Sequence, residues 1–249
     1  MMRKIAILLS LSVLMLLTVS GMALAADEEA ICREVGGEWT SGLYRCTFFV
    51  FGENSHGIEY SYQYRYPTRI VSEPFIQTAI SDYLQGIVDE FMAGVEMTAD
   101  APGALFLETE HEIFYHGANI RSVAFFTSTY MGGASPFLLA NAMTFNTETD
   151  QVLALDDLFV EGADYMTPIK AAVQADLVGQ LGEDLRDFIE AGTSDDAAFH
   201  NFAISDDALI FFFSEGDVAP NAAGPRSAEV LLSDLGSIWA LDVVAGPAQ

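Results

Sequence analysis

Alternation of apolar and polar side chains predicts several β-strands along this chain. The clearest case is residues 58–66, IEYSYQYRY, where Ile58 and four tyrosines alternate with polar residues. A period of two places the aromatic side chains on one face of a strand. Such a row can stack against a sugar, but more often it forms one wall of a core with its hydroxyls at the rim. We favour the core interpretation for these tyrosines.

Apolar residues recur at helical spacing in two other segments. Residues 72–95, SEPFIQTAISDYLQGIVDEFMAGV, give the strongest pattern, with apolar side chains three and four positions apart and polar ones between. Pro74 is tolerated because it falls in the first turn. A second helix is predicted over about 165–181. Each helix has one apolar side, so we expect each to cover a sheet.

Further strands fill most of the remaining chain, and hairpin turns link them. Gly117-Ala118 joins two of these strands tightly, and Asp206-Asp207 joins two others. The fold class that follows is α+β, a mainly antiparallel sheet covered by two amphipathic helices. A short helix is expected over 233–241. The predicted strands are 105–116, 119–131, 138–147, 199–205, 208–214 and 228–232.

The N-terminus has the pattern of a secretory signal peptide, residues 1–25. Arg3 and Lys4 precede the apolar stretch 5–19, and Ala23-Leu24-Ala25 supplies the small residues of a cleavage site. We therefore expect a periplasmic or secreted protein that starts at Ala26. No later stretch is long and apolar enough to predict a membrane span.

Two cysteines, Cys32 and Cys46, lie in the predicted N-terminal loop 26–50. In an oxidising compartment we expect them to pair, and the alternative is two free reactive thiols. The main domain is predicted over 51–249. Its length suits one large unit or two subdomains, about 51–150 and 151–249.

The charge balance excludes some partners. Lys and Arg number 10 against 36 Asp and Glu, a net charge of −26, and loss of Arg3 and Lys4 would make it −28. Such a field repels nucleic acid and anionic lipid and attracts cations. Two explanations stay open: adaptation to salt, in which acidic surfaces maintain solubility, or a specific cationic partner.

The sequence contains no strong catalytic or metal-binding motif. His111 and His116 are five apart in a strand pattern, which places them on opposite faces instead of on one side of a zinc-binding helix. Ser135 lacks the Gly-x-Ser-x-Gly elbow, and Pro136 after it has no backbone N–H for an oxyanion hole. Abundant carboxylates always provide pairs, so their number alone does not indicate a glycosidase. We therefore predict no catalytic residue, metal or cofactor.

The most directional polar feature is an acidic row in the predicted strand 105–116. Glu108, Glu110 and Glu112 share one face and repel one another there. A solvated sheet face is one interpretation, because such faces are commonly polar. The other is a docking stripe for a basic protein or a divalent cation.

Three segments, 66–91, 129–159 and 201–235, together resemble the RsiV-type domain of unknown function. The match includes Tyr-x-Gly-Gly-Ala-x-Pro followed by a Leu-x-Asp-Leu-Phe segment, and it covers about residues 58–241. Ser135 stands where the family pattern has histidine, so a role for that imidazole does not transfer. The matching positions are Tyr130, Gly132, Gly133, Ala134, Pro136, Leu155, Asp157, Leu158, Phe159, Asn201, Phe202, Ala219, Pro220 and Gly224.

The resemblance implies an α+β domain that binds, since the RsiV-type domain is the extracellular part of a lysozyme-binding anti-sigma factor and an accessory part of some peptidoglycan deacetylases. We therefore expect an exported, non-enzymatic binding protein of the cell envelope, with a cationic lysozyme-like protein or a cell-wall component as partner. The alternatives are a cell-wall hydrolase or esterase, or a structural envelope protein. The candidate binding residues are Glu108, Glu110, Glu112, Tyr130, Gly132, Gly133, Ser135 and Pro136.

Overall fold

Ten β-strands form two sheets within residues 27–71 and 73–241, the part of the chain that the computed structural model describes. The predicted signal peptide, residues 1–25, lies outside the described residues. None of the described helices is long and apolar enough to cross a membrane. The larger sheet has seven strands, the smaller has three, and in each sheet neighbouring strands follow one another along the chain.

The larger sheet follows the chain from strand to neighbouring strand. Every neighbouring pair is antiparallel except the third and fourth strands, which are parallel because a helix connects them. Its strands are β1 Glu38–Thr40, β2 Arg45–Glu53, β3 Glu59–Tyr66, β4 Leu105–His116, β5 Ile120–Tyr130, β6 Phe137–Asn146 and β7 Gln151–Leu153.

Helix α2, Pro74–Met97, packs on one face of this sheet. Ile76, Ile80 and Leu84 of the helix are buried in one cluster with Phe125 and Phe145 of the sheet. These helix positions are four residues apart, so they lie on one side of the helix, as the apolar spacing predicts. The helical spacing in the sequence therefore correctly identifies the element that covers the sheet.

The smaller sheet packs on the opposite face of the larger one. Its strands are β8 Phe202–Ile204, β9 Ala208–Phe213 and β10 Arg226–Leu231. Small side chains of the larger sheet, Ala124, Ala140 and Ala142, form the contact layer with Ile210 and Phe212 of β9. Small residues allow the two sheets to approach closely while the larger side chains of β9 fill the space between them.

Helix α3, Met166–Leu181, covers the outer face of the smaller sheet. Val173 and Leu177 are buried with Phe211, Phe213 and alternate residues of β10. Strand β9 is therefore buried on both faces, which explains its nearly continuous apolar sequence. Two short helices, α4 Arg186–Gly192 and α5 Leu232–Leu235, follow in the same layer.

The predicted disulfide is confirmed at the N-terminal end of the described chain. Residues 27–34 form helix α1, and Cys32 at its end bonds to Cys46 of β2 with Cα atoms 5.5 Å apart. Both cysteines are buried. Strand β2 runs across residue 50 and pairs with β3 along its length, so the segment around the disulfide is continuous with the larger sheet.

The predicted α+β class and the mainly antiparallel pairing are confirmed. Both long helices are present, but they cover different sheets: α2 packs on the larger sheet and α3 on the smaller. The layers run helix, sheet, sheet, helix. Strands five and six of the larger sheet lie under the smaller sheet, and this arrangement leaves other strands uncovered on that side.

Candidate functional site

The smaller sheet covers only part of the larger sheet, and the uncovered part is the candidate functional site, here named the open face. It contains side chains of β2, β3, the first half of β4 and the end of β5. Strand register places these side chains on the same side of the sheet, because directly paired residues point the same way. The residues of the open face are Phe49, Phe51, Gln63, Arg65, Phe106, Glu108, Glu110 and Tyr130.

Exposed aromatic rings form one part of the open face. Phe49 and Phe51 of β2 are 63% and 62% exposed, although most phenylalanines are buried. The half-buried rings of Phe106 and Tyr130 stack across β4 and β5 with ring centroids 5.7 Å apart. Groups of exposed apolar side chains of this kind commonly mark a binding surface.

Carboxylates form the neighbouring part of the open face. Glu108 and Glu110 of β4 are exposed, as the alternation in the sequence predicts. The Gln63 side-chain amide donates to Glu108 at 3.0 Å, and Arg65 forms an ion pair with Glu110. These contacts from β3 hold the two carboxylates in place while leaving them accessible to solvent.

Glu112 lies farther along β4 and is also exposed. It forms no ion pair among the described residues. Phe114 lies two residues farther along β4, on the same face of the strand, and its ring packs against Phe212 of the smaller sheet. Glu112 therefore marks the boundary at which the smaller sheet begins to cover the strand.

The loop with Gly132, Gly133, Ser135 and Pro136 connects β5 to β6 at one end of the larger sheet. Gly132 has φ of +89°, a conformation that favours glycine, and it lies against Ala101. Gly133 and Ser135 are exposed. The structure thus places Tyr130 on the open face and the rest of this motif in the adjoining turn.

The tyrosine row of β3 packs on the opposite side, beneath α2, as the core interpretation predicts. Tyr64 stacks on Phe48 with ring centroids 4.4 Å apart, and the Tyr66 hydroxyl lies 2.9 Å from the Ser81 hydroxyl. Burial raises the pKa of Tyr64 to about 12, because the phenolate is poorly solvated there. These rings are structural in this arrangement.

The histidines of the described chain do not have the surroundings that a serine hydrolase requires. In a serine hydrolase, an imidazole contacts the nucleophilic hydroxyl and a carboxylate orients the imidazole. His116 is 3% exposed, and its Nδ1–H donates to the backbone carbonyl of Ser205 at 2.8 Å. Among the described residues, no histidine ring hydrogen-bonds to a serine or threonine hydroxyl.

No group of three or more His, Cys, Asp or Glu side chains within residues 27–71 and 73–241 is arranged to hold a metal ion. His111 and His116 lie on opposite faces of β4, in agreement with the sequence analysis: His111 lies near Phe125 on the helix side, and His116 lies near Trp239 on the other side.

Sequence analysis missed the aromatic half of the open face. Phe49 and Phe51 fall in the run CTFFVF, at the junction of the expected cystine loop and the main domain, where the sequence analysis predicted no strand. Phe106 was assigned to the correct strand without a functional role. The alternation pattern of a strand does not show how far a second sheet extends over it, so the exposure of these rings was not predictable from the sequence.

Comparison with known proteins identifies the family. Residues 156–233 match the family model described as a protein of unknown function, DUF3298. The matched region begins at the turn before α3 and ends at β10 and the start of α5, so it corresponds to the smaller sheet and its helix.

Two curated relatives come from Mycobacterium tuberculosis strain H37Rv. The chain is 32% identical over 157 residues to a protein named Esterase Rv3036c, a match that covers 62% of this chain and 69% of that protein. It is 25% identical over 246 residues to Immunogenic protein MPT64, covering 95% of this chain and all of that protein.

A solved structure with the same fold is the crystal structure of a DUF3298 family protein from Pseudomonas aeruginosa PAO1. The TM-score is 0.59 at 13% sequence identity, and the alignment covers 79% of this chain and 93% of that chain. This likeness shows a shared fold. The family model over residues 156–233 and the 32% identical relative, of which the chain covers 69%, show that the chain belongs to the DUF3298 family.

Proposed function

We propose that this protein is an exported, non-enzymatic binding protein that captures a basic protein partner on its open face. The observation that carries the proposal is the pairing of exposed rings with accessible carboxylates on one uncovered sheet surface. Phe49 and Phe51 offer apolar contact area, and Glu108 and Glu110 offer negative charge two strands away on the same face. Aromatic anchors with neighbouring charges are typical of protein interfaces.

Long-range charge supports a basic partner. The net charge of −26 produces an attractive field for cations, which raises the rate of encounter with a positively charged protein. At the surface itself, the ion pair with Arg65 offsets part of the negative charge of Glu110. The carboxylates of the open face therefore contribute fixed hydrogen-bond acceptors more than additional net charge. Electrostatic steering followed by apolar contact would give both speed and specificity.

The sharper form of the proposal names a cationic lysozyme-like protein. It depends on the resemblance to the RsiV-type domain; the family model that matches the chain is described as DUF3298 and does not name that domain. A cell-wall component is the other binding partner that this resemblance suggests, and a structural role in the envelope is the remaining alternative without a soluble ligand.

The test is calorimetric titration of the chain from Ala26 onward with a cationic lysozyme, at low and at near-molar salt. A specific interface retains measurable affinity in high salt, because buried apolar contact is not screened. The variant with Glu108→Gln and Glu110→Gln should bind about tenfold more weakly. A variant with Phe49→Thr and Phe51→Thr should weaken binding at both salt concentrations.

The matched control removes two negative charges that lie away from the open face. Glu96 at the end of α2 and Glu161 after β7 are exposed and form no ion pair among the described residues. Glu96→Gln with Glu161→Gln should leave affinity within about twofold of the original protein. Binding that disappears at modest salt, or that weakens equally in both double variants, would leave only general charge attraction and would reject the proposal.

Ester hydrolysis is the second candidate function, favoured by the 32% identity to the protein named Esterase Rv3036c. No histidine–hydroxyl pair supports it among the described residues, so it ranks below binding. The test is hydrolysis of a short-chain p-nitrophenyl ester, together with labelling by a serine-reactive fluorophosphonate and mass spectrometry of the labelled peptide. Labelling of one serine, with loss of activity on its replacement by alanine, would establish an esterase.

A further inference from the structure

Strands β3 and β4 separate partway along their length. The two strands pair in parallel only where Tyr60–Tyr64 of β3 lies beside Leu105–Thr109 of β4. Strand β4 then continues to His116, whereas β3 ends at Tyr66 and Pro67 follows. Beyond Thr109, β4 is therefore paired on one side alone, with β5, among the described residues.

The imidazole of His111 occupies the point of separation. Its Nδ1–H donates to the backbone carbonyl oxygen of Arg65 at 3.0 Å, so a side chain takes the place of a strand-to-strand hydrogen bond. Past this contact, a groove of about 500 Å³ lies between β4 and the chain that follows β3. One wall is β4 at Glu112, Ile113 and Tyr115, and the other includes Arg45 and Arg69.

The free edge of β4 differs from another outer edge of the fold. On β10, side chains of α3 satisfy the backbone: Asp176 accepts from the N–H of Glu229, and Gln180 donates to the carbonyl of Ser227. For the backbone of Glu112–Tyr115, no hydrogen bond other than those with β5 is found within the described part of the chain. This edge is therefore free to pair with another extended backbone.

We propose that an extended peptide segment with alternating apolar and basic side chains adds to β4 along Glu112–Tyr115, in the groove beside β3. The backbone of such a segment would exchange hydrogen bonds with the free strand edge, the mode of recognition known as β-strand addition. This inference goes beyond the proposed function, because it concerns another surface and needs no contact with Phe49 or Phe51.

The side chains of the groove define the chemistry of the peptide. Successive residues of an extended segment point to opposite faces of the sheet. On one face the segment meets the exposed carboxylate of Glu112, which has no ion-pair partner among the described residues and favours lysine or arginine. Of the arginines that line the opposite wall, Arg65 and Arg69 are already ion-paired with Glu110 and Glu28, and Arg45 is exposed to solvent, so a basic side chain of the segment is directed to Glu112. On the other face it meets Ile113 and the exposed ring of Tyr115, which favour apolar side chains.

The test uses a short peptide of alternating lysine and valine, capped at both ends, added to the protein from Ala26 onward. Calorimetry gives the affinity, and hydrogen exchange reports on the amides of 112–115. We expect binding together with slower exchange at these amides. Two further versions of the peptide are N-methylated, one at the odd-numbered residues and the other at the even-numbered residues. Each keeps the charge of the peptide but loses half of its backbone N–H donors. At least one of them should bind about tenfold more weakly.

Charge reversal provides a second arm. Glu112→Lys should weaken peptide binding about tenfold, whereas Glu161→Lys, on a turn away from the groove, should change it less than about twofold. Both glutamates are exposed, so both variants should fold. Absence of binding, or equal binding of the unmodified and both N-methylated peptides, overturns the proposal. So does equal loss of affinity in Glu112→Lys and Glu161→Lys.

Discussion

His111 of β4 donates from Nδ1–H to the carbonyl oxygen of Arg65 at 3.0 Å, and its ring lies against Phe125 in the layer beneath α2. Burial lowers the pKa of His111 below its ordinary value of 6.5, and the hydrogen bond to Arg65 only partly opposes that effect. The folded protein therefore holds this histidine neutral at a site where strands β3 and β4 separate.

Protonation of His111 should couple stability to pH. Between the lowered pKa and 6.5, the unfolded state binds a proton that the folded state does not, so the free energy of unfolding rises with pH in that window. The stability gained from keeping His111 neutral is fully present above pH 6.5 and is lost as the pH falls through the lowered pKa. His111→Asn, which keeps a hydrogen-bond donor without a titrating group, should flatten this part of the profile. Urea unfolding at closely spaced pH values measures it, and an unchanged slope in His111→Asn would contradict the assignment.

Removal of the disulfide should weaken the fold. Cys32 and Cys46 are 14 residues apart, and closing a loop of this size restricts the unfolded chain by about 3 kcal/mol. Cys32→Ala with Cys46→Ala should lower the free energy of unfolding by about that amount, as measured in urea. Reduction of the original protein under the same conditions should reproduce the effect. A loss well below 1 kcal/mol would show that the loop is already restricted in the unfolded state.

Gly192 should not tolerate a side chain. A Cβ at this position at the end of α4 would lie 1.9 Å from the carbonyl oxygen of Asp217, a backbone atom that cannot easily move. Gly192→Ala should therefore destabilise the protein by about 3 kcal/mol. Gly179→Ala in α3 is the matched control, because no atom lies within 4 Å of its added Cβ. That change should stabilise by up to about 1 kcal/mol, and a similar effect of both changes would be inconsistent with the packing at Gly192.

The two faces of β2 should respond differently to truncation. Phe48 stacks on Tyr64 beneath α2, while Phe49 is largely exposed on the open face. Phe48 is half-buried, so Phe48→Ala should cost about 2 kcal/mol in unfolding free energy, and Phe49→Thr should change it by less than about 0.5 kcal/mol. Chemical denaturation of the two variants compares them directly. Equal losses would mean that β2 is rotated or that its outer face is covered.

The local sequence determined most of the long elements of this fold, but not α1, β1 and β2, which occupy a segment that was predicted to be a loop. Alternation predicted β4, β5 and β6 to within about two residues, because the burial of one strand face imposes a period of two. Helical spacing likewise predicted α2 and α3, and the sequence context of Cys32 and Cys46 predicted their pairing. The row of Glu108, Glu110 and Glu112 was predicted to share one face, since this depends only on alternation along a single strand.

Tertiary structure decided which surfaces stay uncovered. Whether Phe49 is buried or exposed depends on how far the smaller sheet extends across the larger one, and that extent depends on the packing of Phe212 against Ala140 and its neighbours. The free edge of β4 likewise depends on where β3 separates at His111 and Pro67. Local patterns determine the elements because each strand or helix needs an apolar side, whereas contacts between segments distant in sequence decide which apolar sides meet and which remain available to a partner.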